Sequence, residues 1–355
     1  MSKFLSPEAL SLAPYTPGEQ PVDQQYVKLN TNESPFPPSP RVLEAVSRAE
    51  TGRLNLYSDP TCGVLGRAIA KRFGLEENQV ICGNGSDEIL AFAFRAFCGE
   101  GKPAAFADIT YGFYAAQVAL FGLEAVRIPL REDFSLDVED YMDFPGTVFI
   151  ANPNAPTGMA VPASDIRRLL EANPERIVVV DEAYVDFGGE SCVPLLRECE
   201  NLLVVHTFSK SRSLAGGRIG FAMGSPELIT DLNRVKYSFN PYNVNRLSIV
   251  AGAAAMEDEA YLQQCTAAVR ENRAWAAEAL QKLGFTVLPS CANFVFAKSD
   301  RLSGGELYRR LKEKGVLIRW WANSGRIEDW CRITIGSREQ METLVNTVKS
   351  LLEEG

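Results

Sequence analysis

Histidine is nearly missing from this chain: His206 is the only one among 355 residues. That scarcity excludes an HExxH metalloprotease and any multi-histidine zinc or iron centre, and it leaves one imidazole for a Ser-His-Asp triad. Basic charge is also short. With 36 Lys and Arg against 45 Asp and Glu the net charge is −9, so the chain lacks the basic face that a general nucleic-acid binder needs to neutralise phosphates. No apolar run approaches the ~20 residues of a membrane span. The opening stretch MSKFLSPEALSLAPYTPGEQP has too short an apolar run for a signal peptide. There is no CxxC pair. The eight cysteines, Cys62, Cys82, Cys98, Cys192, Cys199, Cys265, Cys291 and Cys331, read as buried reduced thiols, because a chain of this size has no need of disulfide staples. A cytoplasmic protein that binds no membrane and no nucleic acid is the expectation. Low-complexity tracts and solenoid-period repeats are absent too.

What is present is a regular alternation. A chain this long buries roughly three quarters of its unfolded surface and is expected to form roughly two domains. Residues 30–40, NTNESPFPPSP, read as an extended segment, since each X-Pro pushes its neighbour out of the helical region. After it, QVICG (79–83), PAAFA (103–107), TVFIAN (147–152), RIVVVDEAY (176–184) and NLLVVHTFS (201–209) read as strands, with amphipathic helices between them. Runs such as IVVV and LLVV are apolar on both faces and suit central strands covered by helices on both sides. The prediction is an α/β fold: a large domain around a mainly parallel sheet. Beyond residue 225 the pattern turns helical through about 283. FTVLP, NFVFA, VLIRW and CRITIG then read as strands, with helices over 304–314 and 337–354, which suggests a smaller α+β domain. The expected division is 1–44 as a segment packing with the small domain or a partner subunit, 45–256 as the large domain and 257–355 as the small one.

Ligands of open α/β sheets bind beyond the carboxyl ends of the strands, and four loops there are unusually polar. GNGSDE, Gly83 to Glu88, opens a helix whose first N–H groups suit a phosphate. It lacks the third glycine of a dinucleotide fingerprint and the Lys-Ser/Thr of a Walker loop. Alone it also reads as an ordinary capped turn. NPNAPTG, Asn152 to Gly158, is either a Pro-Gly turn with Asn caps or a polar ligand loop. Asp181 of DEAY emerges from an apolar strand, where a carboxylate is costly unless paired. It could cap a turn, pair with an Arg or hold a cationic ring nitrogen. Lys210, just past LLVVH and flanked by hydroxyls, is directed into the crevice. Desolvation there lowers an ammonium pKa and makes the amine nucleophilic towards carbonyls. His206 reads as a packing residue at a strand end. A phosphate cradle, a carboxylate, a phenol (Tyr184) and a nucleophilic lysine are together what pyridoxal 5′-phosphate requires.

TFSKSRSLAGGR is similar to the lysine signature of the fold type I pyridoxal-phosphate enzymes, class II aminotransferase group. APYTPGEQP, KLNTNESPFPPSP, LYSDP, GNGSDE, TYGFY, NPNAPTG, DEAYVDF and CRITIG occur in the order and rough spacing of its histidinol-phosphate branch. The resemblance spans nearly the whole chain. It implies a fold type I transferase that exchanges an amino group between histidinol phosphate and glutamate or 2-oxoglutarate, with no metal.

The roles that follow are implied by the resemblance. Lys210 bonds to the cofactor and shuttles a proton once released. Asp181 pairs with the ring nitrogen and keeps it protonated. Tyr184 hydrogen-bonds the ring's 3′-oxygen and Tyr111 stacks on its face. Ser86, Asp87, Thr207, Ser209 and Arg218 hold the cofactor around its phosphate. Tyr57 reaches that phosphate from the neighbouring subunit, which implies a homodimer. Arg332 takes the glutamate carboxylate or the substrate phosphate, with Arg319 as a second contact. Tyr15 and Asn32 line the substrate side.

The family loop places Asn immediately before Pro-Thr-Gly. Here that place is Ala155, and Asn154, one position earlier, is the cofactor-binding candidate. Trp320 and Trp321 either shape an aromatic pocket or cover the core, the second being favoured because Trp is largely buried on average. An aromatic amino-acid aminotransferase and a threonine-phosphate decarboxylase share the scaffold and stay open at this point. A pyridoxal-dependent regulator lacks a preceding basic helix-turn-helix, and a NAD-dependent dehydrogenase lacks its glycines.

Overall fold

The computed structural model describes Ala9, Leu12 and residues 15–354, so the first part of the expected N-terminal segment lies outside the described residues. The described residues form twelve short strands: β1 (Val27–Lys28), β2 (Val80–Gly83), β3 (Ala104–Ala107), β4 (Ala125–Ile128), β5 (Thr147–Ala151), β6 (Val178–Asp181), β7 (Leu202–Thr207), β8 (Gly220–Met223), β9 (Phe285–Val287), β10 (Phe294–Ser299), β11 (Val316–Leu317) and β12 (Cys331–Thr334).

Seven of them form one sheet in the order β2-β8-β7-β6-β5-β3-β4. Only β8 runs against its neighbours. Side chains alternate between sheet faces, and the two sets bury into different clusters. Val148, Ile150, Val178, Val180, Leu202 and Val204 pack with Leu65, Ile69, Ile166, Leu169 and Ile249 from the helices Gly63–Phe73, Ala163–Ala172 and Arg246–Glu257. Phe149, Val179, Leu203 and Val205 pack with Ile89, Leu90, Phe94 and Leu232 from Ser86–Phe97 and Pro226–Phe239. Helices on both faces explain why β5, β6 and β7 are buried throughout and read as continuous apolar runs.

A second core joins the 24-residue helix Glu259–Lys282 to the helices Gly304–Glu313 and Arg338–Glu353 over the antiparallel sheet β12-β10-β9. The first cluster's buried members end at Met256, and the second's resume at Val269 after Leu29 and Phe187. β1 pairs in parallel with β11, and the Thr334 N–H donates to the Leu29 carbonyl, so residues 27–29 are stitched to this second unit.

Two expectations change, and two strands of the seven-stranded sheet were not expected at all. The strand read over 176–184 stops at Asp181, because Tyr184 to Phe187 turn into a short 3₁₀ segment. VLIRW supplies only a two-residue strand, Val316 and Leu317, paired with β1, and Arg319 adds a single antiparallel bridge to Arg332 of β12. β4 and β8 carry little sequence signal. β4 is an edge strand with three exposed residues, and β8 is four residues long and opens on Gly220.

Candidate active site

The sheet brings its polar loops to one edge through register. Ala151 pairs with Asp181, Asp181 with Val205, Thr207 with Gly220, and Gly220 with Gly83. Gly220 has to be glycine for this: a Cβ there would lie 2.2 Å from the Ser86 nitrogen. Its bare backbone lets the start of the Ser86–Phe97 helix settle beside β7 and β8. Alternation also separates two neighbours on β7. Thr207 shares a face with Val205 and turns to the site. His206 turns the other way, packed 5.5 Å from Phe73 and 5.2 Å from Phe221, with Nε2 2.8 Å from Glu182 Oε2. It is a packed, paired core residue.

A cavity of about 430 Å³ opens beyond these strand ends. Its lining includes Ser86, Asp87, Tyr111, Asp181, Tyr184, Thr207, Ser209, Lys210 and Arg218 from the large unit, and Tyr15, Asn32, Arg319 and Arg332 from the segments around the small one. Two candidates are not brought in. Tyr57 is 80% exposed and stacks on Tyr242 at 4.5 Å. Asn154 is absent from the lining, and its amide is spent mostly on the neighbouring loop at 109–110. Its Oδ1 accepts from Thr110 Oγ1 at 2.7 Å, and its Nδ2 donates to the Ile109 carbonyl and Thr157 Oγ1 at 3.0 and 3.1 Å. Pro153 and Ala155, on either side, line the cavity in its place.

Asp181 is buried, with Oδ2 accepting from Tyr114 Oη at 3.0 Å and Oδ1 from the Ala183 N–H at 3.3 Å. Loss of water pushes its carboxyl up to about 6, against the pull of the Tyr114 hydrogen bond. Among the described residues Lys210 Nζ donates only to the Thr31 carbonyl, at 3.3 Å, and it lies 5.8 Å from the Tyr184 ring centre. Burial, then the positive charge of Arg332, lowers its ammonium to about 8. Tyr184 Oη accepts from Asn32 Nδ2 at 3.0 Å. Asn32 itself is held at φ 56° with Thr334 Oγ1 bridging its backbone N–H and its side-chain oxygen, so it positions Tyr184.

At the helix start, Gly85 has φ 87°, and a Cβ there would meet Arg218 Nη2 at 2.5 Å. Glycine lets the guanidinium lie over the first turn, whose N–H groups lack helical acceptors. Arg218 also reaches Ser209 Oγ and Asp87, each at 3.4 Å, and Tyr111 Oη donates to Asp87 at 2.8 Å. The result is a compact donor cradle of the kind that holds phosphate.

Arg332 is the other anion site. Its Nη2 donates to the Asn30 carbonyl at 3.0 Å, its Nε has no protein partner, and no carboxylate among the described residues forms an ion pair with it. A buried guanidinium without a counter-charge is unfavourable until an anion arrives. The tryptophans divide. Trp321 lines the cavity between Arg319 and Arg332, 5.3 and 5.5 Å from their guanidinium carbons, whereas Trp320 stacks on Tyr308. Both are half-buried against a core cluster, and Trp321 is in addition a wall of the pocket. Tyr114, three residues after Tyr111 and joined to it by a turn, was missed by sequence reasoning. The i, i+3 spacing was the available signal.

The profile of the family Aminotransferase class I and II matches residues 24–348. A histidinol-phosphate aminotransferase of Marinomonas sp. strain MWYL1 is 49% identical over 354 residues, covering 99% of this chain and 100% of that protein. One from Acetobacter pasteurianus is 49% identical over 352 residues, covering 99% of each. The crystal structure of histidinol-phosphate aminotransferase from Sinorhizobium meliloti in complex with pyridoxal-5′-phosphate superposes with a TM-score of 0.87 at 25% identity, covering 99% of both chains.

Proposed function

The chain belongs to the class I and II aminotransferases, and from that premise we propose that it moves an amino group between glutamate and imidazole-acetol phosphate, a histidine-biosynthetic step, with pyridoxal 5′-phosphate as cofactor. The reading rests on Lys210 and Asp181 facing one cavity with an Arg332 that has no acidic partner among the described residues. Relatives bearing that activity in their names are nearly half identical from end to end.

The donor set fits the cofactor. Ser86 and Asp87 N–H groups, Thr207, Ser209 and Arg218 would take its phosphate, Asp181 its ring nitrogen, Tyr184 its phenolic oxygen, and Tyr111 its face. When bound, the cofactor supplies an aldehyde for the substrate amine and a ring that accepts the electron pair left at the substrate's Cα. The rest is work for the chain. With its proton affinity lowered to about 8, Lys210 presents a free amine in a useful fraction near neutral pH and can carry a proton to or from Cα on Nζ. Asp181, ionised above about pH 6, holds a fixed negative charge against a ring cation. Asn32 keeps the Tyr184 phenol aimed. Arg332 binds either the carboxylate of glutamate or the phosphate of the second substrate, and Arg319, whose guanidinium also lies against the Trp321 ring, adds a second positive charge.

Turnover of histidinol phosphate with 2-oxoglutarate is expected to exceed that of phenylalanine or tyrosine at least about tenfold in kcat/KM, a margin that unpaired buried donors readily produce. The reverse order, or release of carbon dioxide from O-phosphothreonine, overturns the assignment. Arg332→Ala is expected to raise KM for both glutamate and histidinol phosphate about a hundredfold, the cost of losing charge-assisted bonds in a dry site. Steady-state kinetics with each substrate checks it.

A homodimer in the cytoplasm completes the reading. Exposed Tyr57, stacked on Tyr242 and preceded by exposed Leu54 and Leu56, suits burial against a second copy that receives the Tyr57 ring. Sedimentation is expected to give twice the chain mass. Co-expressed Tyr57→Ala and Lys210→Ala chains are expected to recover activity that neither variant has alone, because one site of the mixed dimer escapes both changes.

A further inference from the structure

Tyr114 occupies a place that the proposed chemistry does not yet use. Its side chain is fully buried, with ring centres of Phe106, Phe149, Tyr111 and Phe94 at 5.7, 5.9, 5.9 and 6.0 Å. Rings on several sides leave the phenol no room to swing. Its hydroxyl has one protein partner among the described residues, Asp181 Oδ2 at 3.0 Å. Buried phenols require such a partner, but nothing in packing alone requires it to be this carboxylate.

We infer that Tyr114 is a positioning residue for the amino-transfer reaction: from behind the cavity its phenol orients Asp181 and keeps it ionised, and so decides which of the carboxylate and the cofactor's ring nitrogen carries the proton. The inference rests on the cofactor reading above. Tyr114 is not part of the cavity lining, whereas Asp181 is. With Oδ2 tied to a residue outside the cavity, Oδ1, which takes only the 3.3 Å contact from Ala183, is the oxygen left for a ligand.

Other charged or titratable groups surround the carboxylate. Asp87 on the helix Ser86–Phe97 opposes its ionisation, and His206 on β7, itself paired with Glu182, favours it. Tyr111, Tyr184 and Lys210 share the cavity. None of these touches an Asp181 oxygen. The contacts that do are Tyr114 and the Ala183 N–H, and Tyr114 has the shorter one. A donor aimed at the charged form of an acid lowers its pKa, so removing the donor lets the carboxylate compete for the ring proton. A ring that loses that proton is a poorer acceptor of electrons.

Tyr114→Phe removes the hydroxyl and keeps the ring. In cofactor-free protein carrying ¹³C-labelled aspartate, with the Asp181 signal identified by its loss in Asp181→Asn, the wild-type midpoint is expected near 6. The variant's midpoint is expected about one unit higher, the worth of one hydrogen bond to a charged acceptor. In loaded protein, ¹⁵N at the ring position is expected to shift towards neutral pyridine. Turnover is expected to fall about tenfold while KM for glutamate stays within about a factor of two, since Arg332 and not Asp181 holds that substrate. A folded variant with an unmoved Asp181 midpoint and unmoved ring signal overturns the assignment. Where Tyr114→Phe does not fold, 3-fluorotyrosine at this position, a stronger donor of nearly the same shape, is expected to lower the midpoint, and no change there overturns it equally. A wild type that holds the cofactor yet transfers no amino group overturns the functional reading and leaves the titration result standing.

Discussion

Lys210→Ala is expected to lower turnover about ten-thousand-fold or more, because one side chain supplies both the amine that bonds the cofactor and the proton carrier at Cα. The loss has a covalent signature. Borohydride treatment of loaded wild-type protein is expected to add the cofactor mass to the peptide containing Lys210, and to add nothing in the variant. The chemistry also has a pH dependence that distinguishes this lysine from others. Burial and Arg332 lower the Lys210 ammonium to about 8, so the fraction of free amine grows up to that pH and levels off above it. The rate at which cofactor-free protein captures pyridoxal phosphate is expected to follow that curve. A solvated lysine would give a rate still climbing near pH 10. Such a climb, or mass addition in Lys210→Ala, would remove this residue from its role.

The second large effect belongs to Asp181. Asp181→Asn keeps an acceptor for Tyr114 and removes the charge, and turnover is expected to fall by about two to three orders of magnitude, as for other fixed charges aimed at a reacting centre. The same change has an opposite consequence for the cofactor-free fold. The Asp181 carboxyl rises from 3.8 to about 6 on folding, so between those values the native chain holds a proton that the unfolded chain has lost. Its contribution to stability is therefore complete below pH 3.8 and drains away as pH rises through 6, by about 3 kcal/mol across the window. Urea unfolding of cofactor-free protein at pH 4 to 7 is expected to show Asp181→Asn gaining on wild type by up to that amount. Parallel stability curves for the two proteins would mean that Asp181 is solvated. Pyridoxal phosphate is expected to reverse the order, because a ring cation compensates the buried charge.

Much of this site could be read from one dimension. Lys210, Asp181, Ser86 and Arg218 sit at strand ends and helix starts, and the polarity of those loops against IVVV and LLVV marked them before any contact was known. What escaped did so for a physical reason. Asn154 and Ala155 differ by one position, and a loop's local path, which composition does not encode, decided that the amide turns to Ile109 and Thr110 and that Ala155 lines the cavity. Tyr114 carries no signal of its own in the sequence, since its hydroxyl meets Asp181, 67 positions away, only in the folded chain. Trp320 and Trp321 are adjacent and similarly apolar, yet one stacks on Tyr308 and the other stands between two guanidinium groups.

By itself the sequence determined the alternation of buried strands and helices, and with it the layered α/β core, because side-chain periodicity is a local property that burial enforces. It also determined which chemical groups stand at the carboxyl edge. Only the tertiary structure decided which groups meet: the register that sets Gly220 against Ser86, the phenol behind Asp181, and the arrival of Arg332 from β12 with no acid among the described residues to neutralise it. Those are long-range contacts. Their energies depend on distance and on excluded water, and neither exists until the chain has closed around the site.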